Sequence, residues 1–356
     1  MPTRSNSHQP VRVAVVGAGI AGLACARTLL QAGCDVTVFD SAMEPGGRLA
    51  TQESAFGGFD TGAQYFTVRD ARFQAALQAT APDVVRPWSA NAVRVLDPAG
   101  RVIEAALPSR EPHWVAVPGM AALPARWAEP LLEQRRLHLD TTVLQVRRDT
   151  VNAQRWQLRT QGSASEHPVH AGFDRVLLAL PPSATSILLS QSERVDALQR
   201  VLSTVAVAPC WTLMLAYPNA AQPGLQTLGP QWNAARSTHH RVAWLTRESS
   251  KPARTPIERW TVQASAEWSA DHAADSAERV TAKLLRAFAE LTGIRATPAL
   301  AEALLWREAQ TRKPLGESHV WNAALGVGLC GDWCLGHRVE DAFISGLELA
   351  LAVLDK

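Results

Sequence analysis

Three groups of residues have types and spacings suited to one chemistry. The first is Gly17-Ala18-Gly19-Ile20-Ala21-Gly22, a G-x-G-x-x-G run, with Asp40 and Ser41 following; Asp40 stands 23 residues after Gly17. The second is Gly46-Gly47-Arg48. The third lies near the C-terminus: Gly331-Asp332, then Glu340-Asp341-Ala342. In the first group Gly17 permits a tight turn, Gly19 lets backbone approach a pyrophosphate, and Gly22 lets a helix lie close to a strand. Unpaired N–H groups at the start of a helix attract phosphate. An acid at position 40 can accept hydrogen bonds from an adenosine ribose, and it disfavours a 2′-phosphate, so NADP is not expected there. An arginine at 48 is permanently charged and can clamp a phosphate in two places. The run therefore predicts a bound dinucleotide, and by itself leaves NAD and FAD open.

The elements around these residues agree. Val11, Val13, Val15 and Val16 form a short β-branched run that reads as a buried strand. A helix follows with Leu23, Arg27 and Leu30 about one turn apart, stopping at Gly33. Val36-Thr37-Val38-Phe39 is a second strand. Further on, 173–180 reads as a buried strand stopped by Pro181-Pro182, and 327–329 as a short strand before Gly331. The last helix carries a stripe of Phe343, Leu347, Ala350, Leu351 and Leu354 expected to face the core. Between these lie strand-like stretches at Asn91 to Leu96, Leu137 to Val146, Trp156 to Thr160, 241–245 and 259–263. Helices are expected at Arg69 to Thr80, Ala121 to Trp127 and Ala277 to Leu291, the last with Val280, Leu284, Leu285, Phe288 and Leu291 on one face. The expected fold is α/β: a three-layer Rossmann-type domain on a parallel sheet, with a second α+β domain on a mixed or antiparallel sheet. The dinucleotide domain is assigned to residues 10–81, 115–182 and 318–356, the second domain to 82–114 and 183–317, and residues 1–9 to a loose tail.

Composition narrows the class. A chain of 356 residues with 47% apolar and 19% charged residues can bury two cores. A net charge of +2 argues for neither nucleic acid nor an anionic membrane surface. No apolar run of about 18 residues suggests a membrane span, and the polar start does not read as a signal peptide, so a cytoplasmic protein is expected. The five cysteines, Cys25, Cys34, Cys210, Cys330 and Cys334, are too scattered for a disulfide scaffold. Free thiols are expected, with a covalent bond to a cofactor at Cys330 or Cys334 as the alternative; no metal is expected. Twelve Trp against two Tyr leaves room for a flat aromatic pocket.

Asp40, five residues, then Gly46-Gly47-Arg48 resembles the extended signature of the flavin amine-oxidase superfamily. Phe59-Asp60-Thr61-Gly62-Ala63-Gln64-Tyr65-Phe66 resembles the loop that passes beneath the isoalloxazine ring in such oxidases, and the C-terminal Gly331 to Gly346 stretch resembles their closing motif. Gly-Ala-Gln-Tyr-Phe-Thr-Val-Arg-Asp, Ser249 to Pro252, Glu267 to Ser269, Lys313 to Gly316 and the Cys330 to Gly336 string further resemble bacterial renalases and their relatives. The resemblance implies non-covalent FAD held from both chain ends. Residues 17–22, Asp40, Ser41, Gly47 and Arg48 would lie along its nucleotide half. Gly62, Ala63 and Gln64 would meet the ring, with Tyr65 or Phe66 packing on it; Val143 would lie by the adenine, and Gly331 and Asp332 by the ribityl chain. Glu340, Asp341 and Ala342 would begin a helix aimed at the flavin N1/O2 edge, the two acids either touching flavin or serving only the helix dipole. It also implies a small-molecule substrate, a dihydro-NAD(P) isomer oxidised by hydride transfer to N5, with oxygen as acceptor and hydrogen peroxide as product. Trp244 and Trp306 are the candidate walls for a flat substrate. Lys251, Arg312 and Lys313 could meet a phosphate or simply be solvated. The rivals are an amine oxidase or dehydrogenase on a hydrophobic amine or cyclic intermediate, a flavin-holding protein without turnover, and an NAD-dependent Rossmann dehydrogenase.

Overall fold

The structure, a computed structural model, describes residues 9–88, 93–105, 111–162, 168–191, 196–221, 230 and 232–355. The expected tail, apart from Gln9, and the start of the strand expected at Asn91 lie outside the described residues.

The valine run forms β1 (Arg12–Val16), followed by α1 (Ile20–Gln31) and β2 (Asp35–Phe39). β1 lies in a six-stranded sheet, pairing in parallel with β2 on one side and with Arg175–Leu178 on the other. Leu137–His138 extends the sheet in parallel beyond β2, and Val327–Leu329 beyond Arg175–Leu178. Val320–Asn322 closes that edge antiparallel. The strand is apolar on both sides because both sides are covered. Val13 and Val15 join a cluster with α1, the helix Ala122–Glu133 and the C-terminal helix Val339–Leu354. Ala14 and Val16 join another with Trp156, Leu158 and Phe173, residues borne by a three-stranded antiparallel sheet of Thr141–Arg148, Trp156–Gly162 and Val169–Phe173. That is the expected Rossmann-type layering, with a meander as the third layer.

α1 and the C-terminal helix touch backbone to backbone: a Cβ on Gly346 would stand 2.0 Å from the Ala21 carbonyl oxygen. This crossing corrects the expected stripe. Phe343, Ile344, Leu349 and Ala350 are buried, whereas Leu351 is 40% exposed, because the helix seats the Gly346 side on α1. Two boundaries also differ. The strand expected from Leu137 to Val146 breaks where Asp140 takes a φ of 47°, and the helix expected to end at Trp127 continues through Pro130 to Glu133.

The second sheet has seven strands in the order Leu300–Lys313, Ala206–Tyr217, Glu258–Ala264, Val242–Arg247, Ala234–Ser237, Val93–Leu96, Val102–Ala105. All neighbours are antiparallel except Ala234–Ser237 with Val93–Leu96, so the sheet is mixed. Side chains alternate between its faces. Trp211, Leu213, Leu215, Leu245 and Val262 pack on the helix Ala277–Thr292 through Val280, Leu284, Phe288 and Leu291. Ser276 caps that helix by accepting from the Arg279 N–H, and Gly293 ends it at φ 74°. The opposite face carries a row in register, Thr212, Gln263, Trp244 and Arg236, and this row looks onto the loop at 61–65.

Candidate functional site

β1 ends at a turn that only glycine can make: Gly17 has φ 108° and donates to the Phe39 carbonyl at 2.8 Å. A Cβ on Gly22 would stand 1.9 Å from the Gly17 oxygen, so α1 is packed hard on this turn. Gly19 is different. Its backbone is extended (φ −72°, ψ 177°), and a Cβ there would meet no protein atom within 4 Å. Protein packing does not require glycine at 19, and the space in front of it is open. Gly19 is the N-cap of α1, with no side chain bound to the cap and no acid in the first turn. The first N–H groups are therefore left for an anion. Gly46 donates to the Ala18 carbonyl at 3.0 Å, which lays Gly47 alongside Gly19. This donor set and open space fit the diphosphate of a dinucleotide. Asp40 does more than the sequence showed: its Oδ2 accepts from the Ala18 N–H at 2.5 Å and its Oδ1 from Ala42 at 2.8 Å, pinning the turn, with Ser41 exposed beside it. Val143 is half-buried where Thr141–Arg148 is bulged, between Val143 and Gln145.

The two chain ends meet at Arg48 and Asp332, 284 positions apart. Arg48 Nη1 and Nη2 donate to the two carboxylate oxygens at 3.0 and 2.5 Å. Thr311 Oγ1 adds a third donor to Asp332 at 3.3 Å. Arg48 was expected beside phosphate and Asp332 beside ribityl hydroxyls; the structure brings the two together as one ion pair. Gly331, next to Asp332, donates to Ser345 Oγ at 2.9 Å, which ties the strand end to the C-terminal helix.

The loop 59–66 is held between the sheets. Its Thr61 N–H donates to the Ala50 carbonyl and its Ala63 N–H to the Arg48 carbonyl. A Cβ on Gly62 would stand 2.0 Å from the Arg48 oxygen. From the seven-stranded sheet, Thr212 Oγ1 and Trp306 Nε1 donate to the Thr61 carbonyl at 3.0 and 2.9 Å, and Gln263 Nε2 to the Gly62 carbonyl at 2.8 Å. Trp306 is thus a fastener of the loop as well as a partly exposed ring. Tyr65 presents its ring to Trp244 (centroids 5.7 Å), His113 (4.3 Å) and Trp88 (6.3 Å). Tyr65, His113 and Trp244 are each half-buried, and Trp88 is buried behind them.

Three expected ring contacts are corrected. Phe66 is buried, exchanges backbone hydrogen bonds with Trp114 and packs on Phe73, so it belongs to the core. Gln64 is buried with its amide donating to the Asp60 carbonyl and its oxygen accepting from Lys251 Nζ at 3.3 Å. Glu340 Oε1 accepts the N–H groups of Arg69 and Asp70 at 2.7 Å each, a tether to the start of Ala71–Thr80 rather than a group aimed at a ring. Asp341 accepts from the Arg338 N–H at 2.9 Å and caps its own helix, on which Ala342 is half-buried.

Lys251 is also corrected. It is 3% exposed, not a solvated base. Its Nζ reaches Asp60 Oδ2 at 2.7 Å and Glu248 Oε1 at 3.1 Å, while Arg254 Nη2 reaches the same Asp60 oxygen at 2.5 Å. Burial alone would raise the Asp60 carboxyl, but the Lys251 and Arg254 charges outweigh it and hold it below the usual carboxylate range. Glu248 goes the other way: burial raises it, and the same cations do not fully compensate. Sequence reasoning missed this cluster because Asp60, Glu248, Lys251 and Arg254 carry no spacing that marks them as partners. Arg312 and Lys313 are exposed, with Arg312 paired to Glu267 at 3.3 Å.

Comparison with known proteins agrees with this arrangement. The family profile described as flavin containing amine oxidoreductase matches residues 101–354, and one described as NAD(P)-binding Rossmann-like domain matches 15–79. The chain belongs to the flavin containing amine oxidoreductases. Over 59 residues, 17% of its length, this oxidoreductase is 46% identical to hydroxyneurosporene desaturase of Cereibacter sphaeroides, and that match spans 12% of the desaturase. Its fold is similar over 98% of the chain to all of a protein from Exiguobacterium sp. 255-15 provisionally named protoporphyrinogen oxidase (TM-score 0.74, 14% identity). It is similar over 97% of the chain to 99% of a redesigned triple mutant of putrescine oxidase (TM-score 0.71, 13% identity), and over 98% to all of wild-type putrescine oxidase bound to putrescine (TM-score 0.66, 13% identity).

The protein is an FAD-dependent oxidoreductase, and residues beside its cofactor motifs bear on how FAD is held. Cys330 and Cys334 are fully buried, and burial pushes the Cys334 thiol up to about 12 and Cys330 well above its ordinary value. Such thiols are poor nucleophiles at neutral pH. A surface cleft of about 460 Å³ lined by Arg148, Asp174, Arg175 and Gly326 lies at the opposite ends of the parallel strands from Gly17 and is not part of this site. No helix among the described residues is long and apolar enough to cross a membrane.

Proposed function

We propose that this oxidoreductase oxidises a flat, electron-rich ring of the dihydronicotinamide type, such as a misreduced isomer of NAD(P)H, with oxygen as the final acceptor. FAD, when bound, would supply the electron sink between this ring and oxygen, for hydride oxidation of the ring with hydrogen peroxide as the product. The nucleotide half would rest on the α1 N–H groups, with Gly47, Asp40 and Arg48 around it, and the loop Gly62-Ala63 would carry backbone along the ring. Attachment is taken as non-covalent, a reading supported by the burial of Cys330 and Cys334.

The observation that carries the reading is the aromatic cluster of Tyr65, Trp244 and His113, half-buried beside the 61–66 loop. A dihydropyridine needs its ring held flat with the donor carbon near the acceptor, and its own nitrogen expels the hydride, so no protein base is required. The acids nearest the loop, Asp60 and Glu248, are buried under Lys251 and Arg254 and cannot accept a substrate proton without breaking that network.

A second reading, oxidation of an amine, is favoured by His113. Burial first, then the Arg236 charge, lowers it, so it is a neutral imidazole at pH 7 that could take an ammonium proton. Anaerobic mixing with 2- and 6-dihydro-NAD and with a panel of amines separates the two. Bleaching of the flavin by the dihydropyridines and not by amines is expected; bleaching by an amine alone overturns the proposal.

A further inference from the structure

The aromatic cluster lies beside one uncompensated charge, that of Arg236. In the seven-stranded sheet Trp244 stands directly opposite Arg236 across the antiparallel ladder. Side chains so placed have Cβ atoms about 4.5–5.5 Å apart on one face. The same row continues to Gln263 and Thr212, whose side chains hold the Gly62 and Thr61 carbonyls, so Arg236 lies on the face that looks at the loop. Arg236 is exposed, and among the described residues it has no hydrogen-bond or ion-pair partner. Its charge is felt by His113, whose ring lies edge-on to Tyr65 at 4.3 Å.

Behind the rings the charges are paired off. Lys251 Nζ lies 5.8 Å from the Trp88 ring centre, and Trp88 backs Tyr65. Lys251 and Arg254 share Asp60 and Glu248, which are wholly buried and committed to those cations. Glu111, the acid nearest His113 in sequence, is paired with Arg69 at 2.6 Å. The rings therefore have a free guanidinium in front and compensated cations behind, with no uncommitted carboxylate among the groups described around them. An alkylammonium would meet repulsion without a counter-ion; a flat ring bearing an anion would meet a fork shaped for carboxylate or phosphate.

We propose that Arg236 is the anion anchor of the aromatic site, so that this site selects planar ligands carrying a carboxylate or phosphate and rejects those carrying an ammonium. The proposal rests on Tyr65 and Trp244 facing the substrate, but not on which donor reduces the flavin. It is tested on the FAD-loaded enzyme by equilibrium binding to one ring in three charge states: benzoate, benzamide and benzylammonium, read by calorimetry and by perturbation of the flavin absorbance. Phenyl phosphate beside benzoate separates the two anionic headgroups.

The wild type is expected to bind the anions more tightly than benzamide, and benzamide more tightly than benzylammonium. Arg236→Gln, at an exposed position, should weaken benzoate or phenyl phosphate about tenfold while leaving benzamide within about twofold. Arg236→Glu should invert the order between benzoate and benzylammonium. No detectable binding of either anion, anion binding unmoved by Arg236→Gln, or benzylammonium as the tightest wild-type ligand each overturns the proposal. These outcomes stand apart from the donor assay: charge selection can hold with an unexpected donor, and dihydropyridine oxidation can proceed without it.

Discussion

Two ionic constellations flank the 59–66 loop, and they differ in what surrounds them. Arg48 and Asp332 join the chain ends with side chains 28% and 7% exposed. Lys251, Asp60 and Glu248, with Arg254, join the loop to the seven-stranded sheet with side chains at 4% or less. The first pair is reachable from its Arg48 side, while the Asp332 carboxylate is buried beneath it. The second is sealed. Removing one member leaves a charge in low dielectric with nothing to answer it. One constellation is suited to binding and the other to holding two sheets in register around the loop.

The sharpest way to break this contrast is to remove a buried cation. Lys251→Met should cost about 3–5 kcal/mol of stability, measured by urea unfolding of the loaded enzyme; a cost under about 1 kcal/mol would make the cluster no more structural than a surface pair. Within the cluster the two acids should behave oppositely. Asp60 has a folded-state value below its unfolded one, so its stabilisation is present above the unfolded value and disappears as pH falls through the folded one. Glu248 has a raised folded value, so it binds protons more readily when folded and works against stability as pH rises past its ordinary range. Asp60→Asn should therefore be costly at pH 7, and the cost should shrink as pH is lowered from the unfolded value toward the folded one. Glu248→Gln should cost less than Asp60→Asn at pH 7, because burial opposes the Glu248 charge. Unfolding curves at pH 7 and across the acid range compare them directly.

At the reachable pair the effect should move from stability to cofactor. Arg48→Ala should lower stability by less than Lys251→Met, because only one of its two charges is deeply buried, and should reduce the FAD retained through gel filtration. Gly62→Val, whose Cβ would overlap the Arg48 carbonyl, should likewise lose flavin, because backbone must shift there. The smallest expected effect is at the thiols: Cys334→Ser should leave acid precipitation releasing all flavin into the supernatant, as in wild type. Flavin retained in the wild-type pellet and freed by this substitution would reveal a covalent bond.

How much of this was legible in the chain depends on range. The valine run, the six residues 17–22, Asp40 and Gly46-Gly47 act within one βαβ unit, and their types state their backbone needs; Gly17 at φ 108° is a direct example. The amphipathic helix 277–292 was equally plain, since burial on one face leaves a period. Tyr65 and Trp244 were both singled out, but their facing one another was not visible. Neither was the role of Phe66, whose bridge partner Trp114 lies in a separate two-stranded sheet.

The sequence by itself determined where a dinucleotide turn forms and which strands are covered on both faces, because sterics and alternation act between near neighbours. Only the tertiary structure decided that Arg48 meets Asp332, that Glu340 holds Arg69 and Asp70, and that Lys251 lies buried against Asp60. A charge carries no mark of its partner in the chain. Its burial and its neighbour are set by how two sheets close on one loop, and that is a property of the packed molecule.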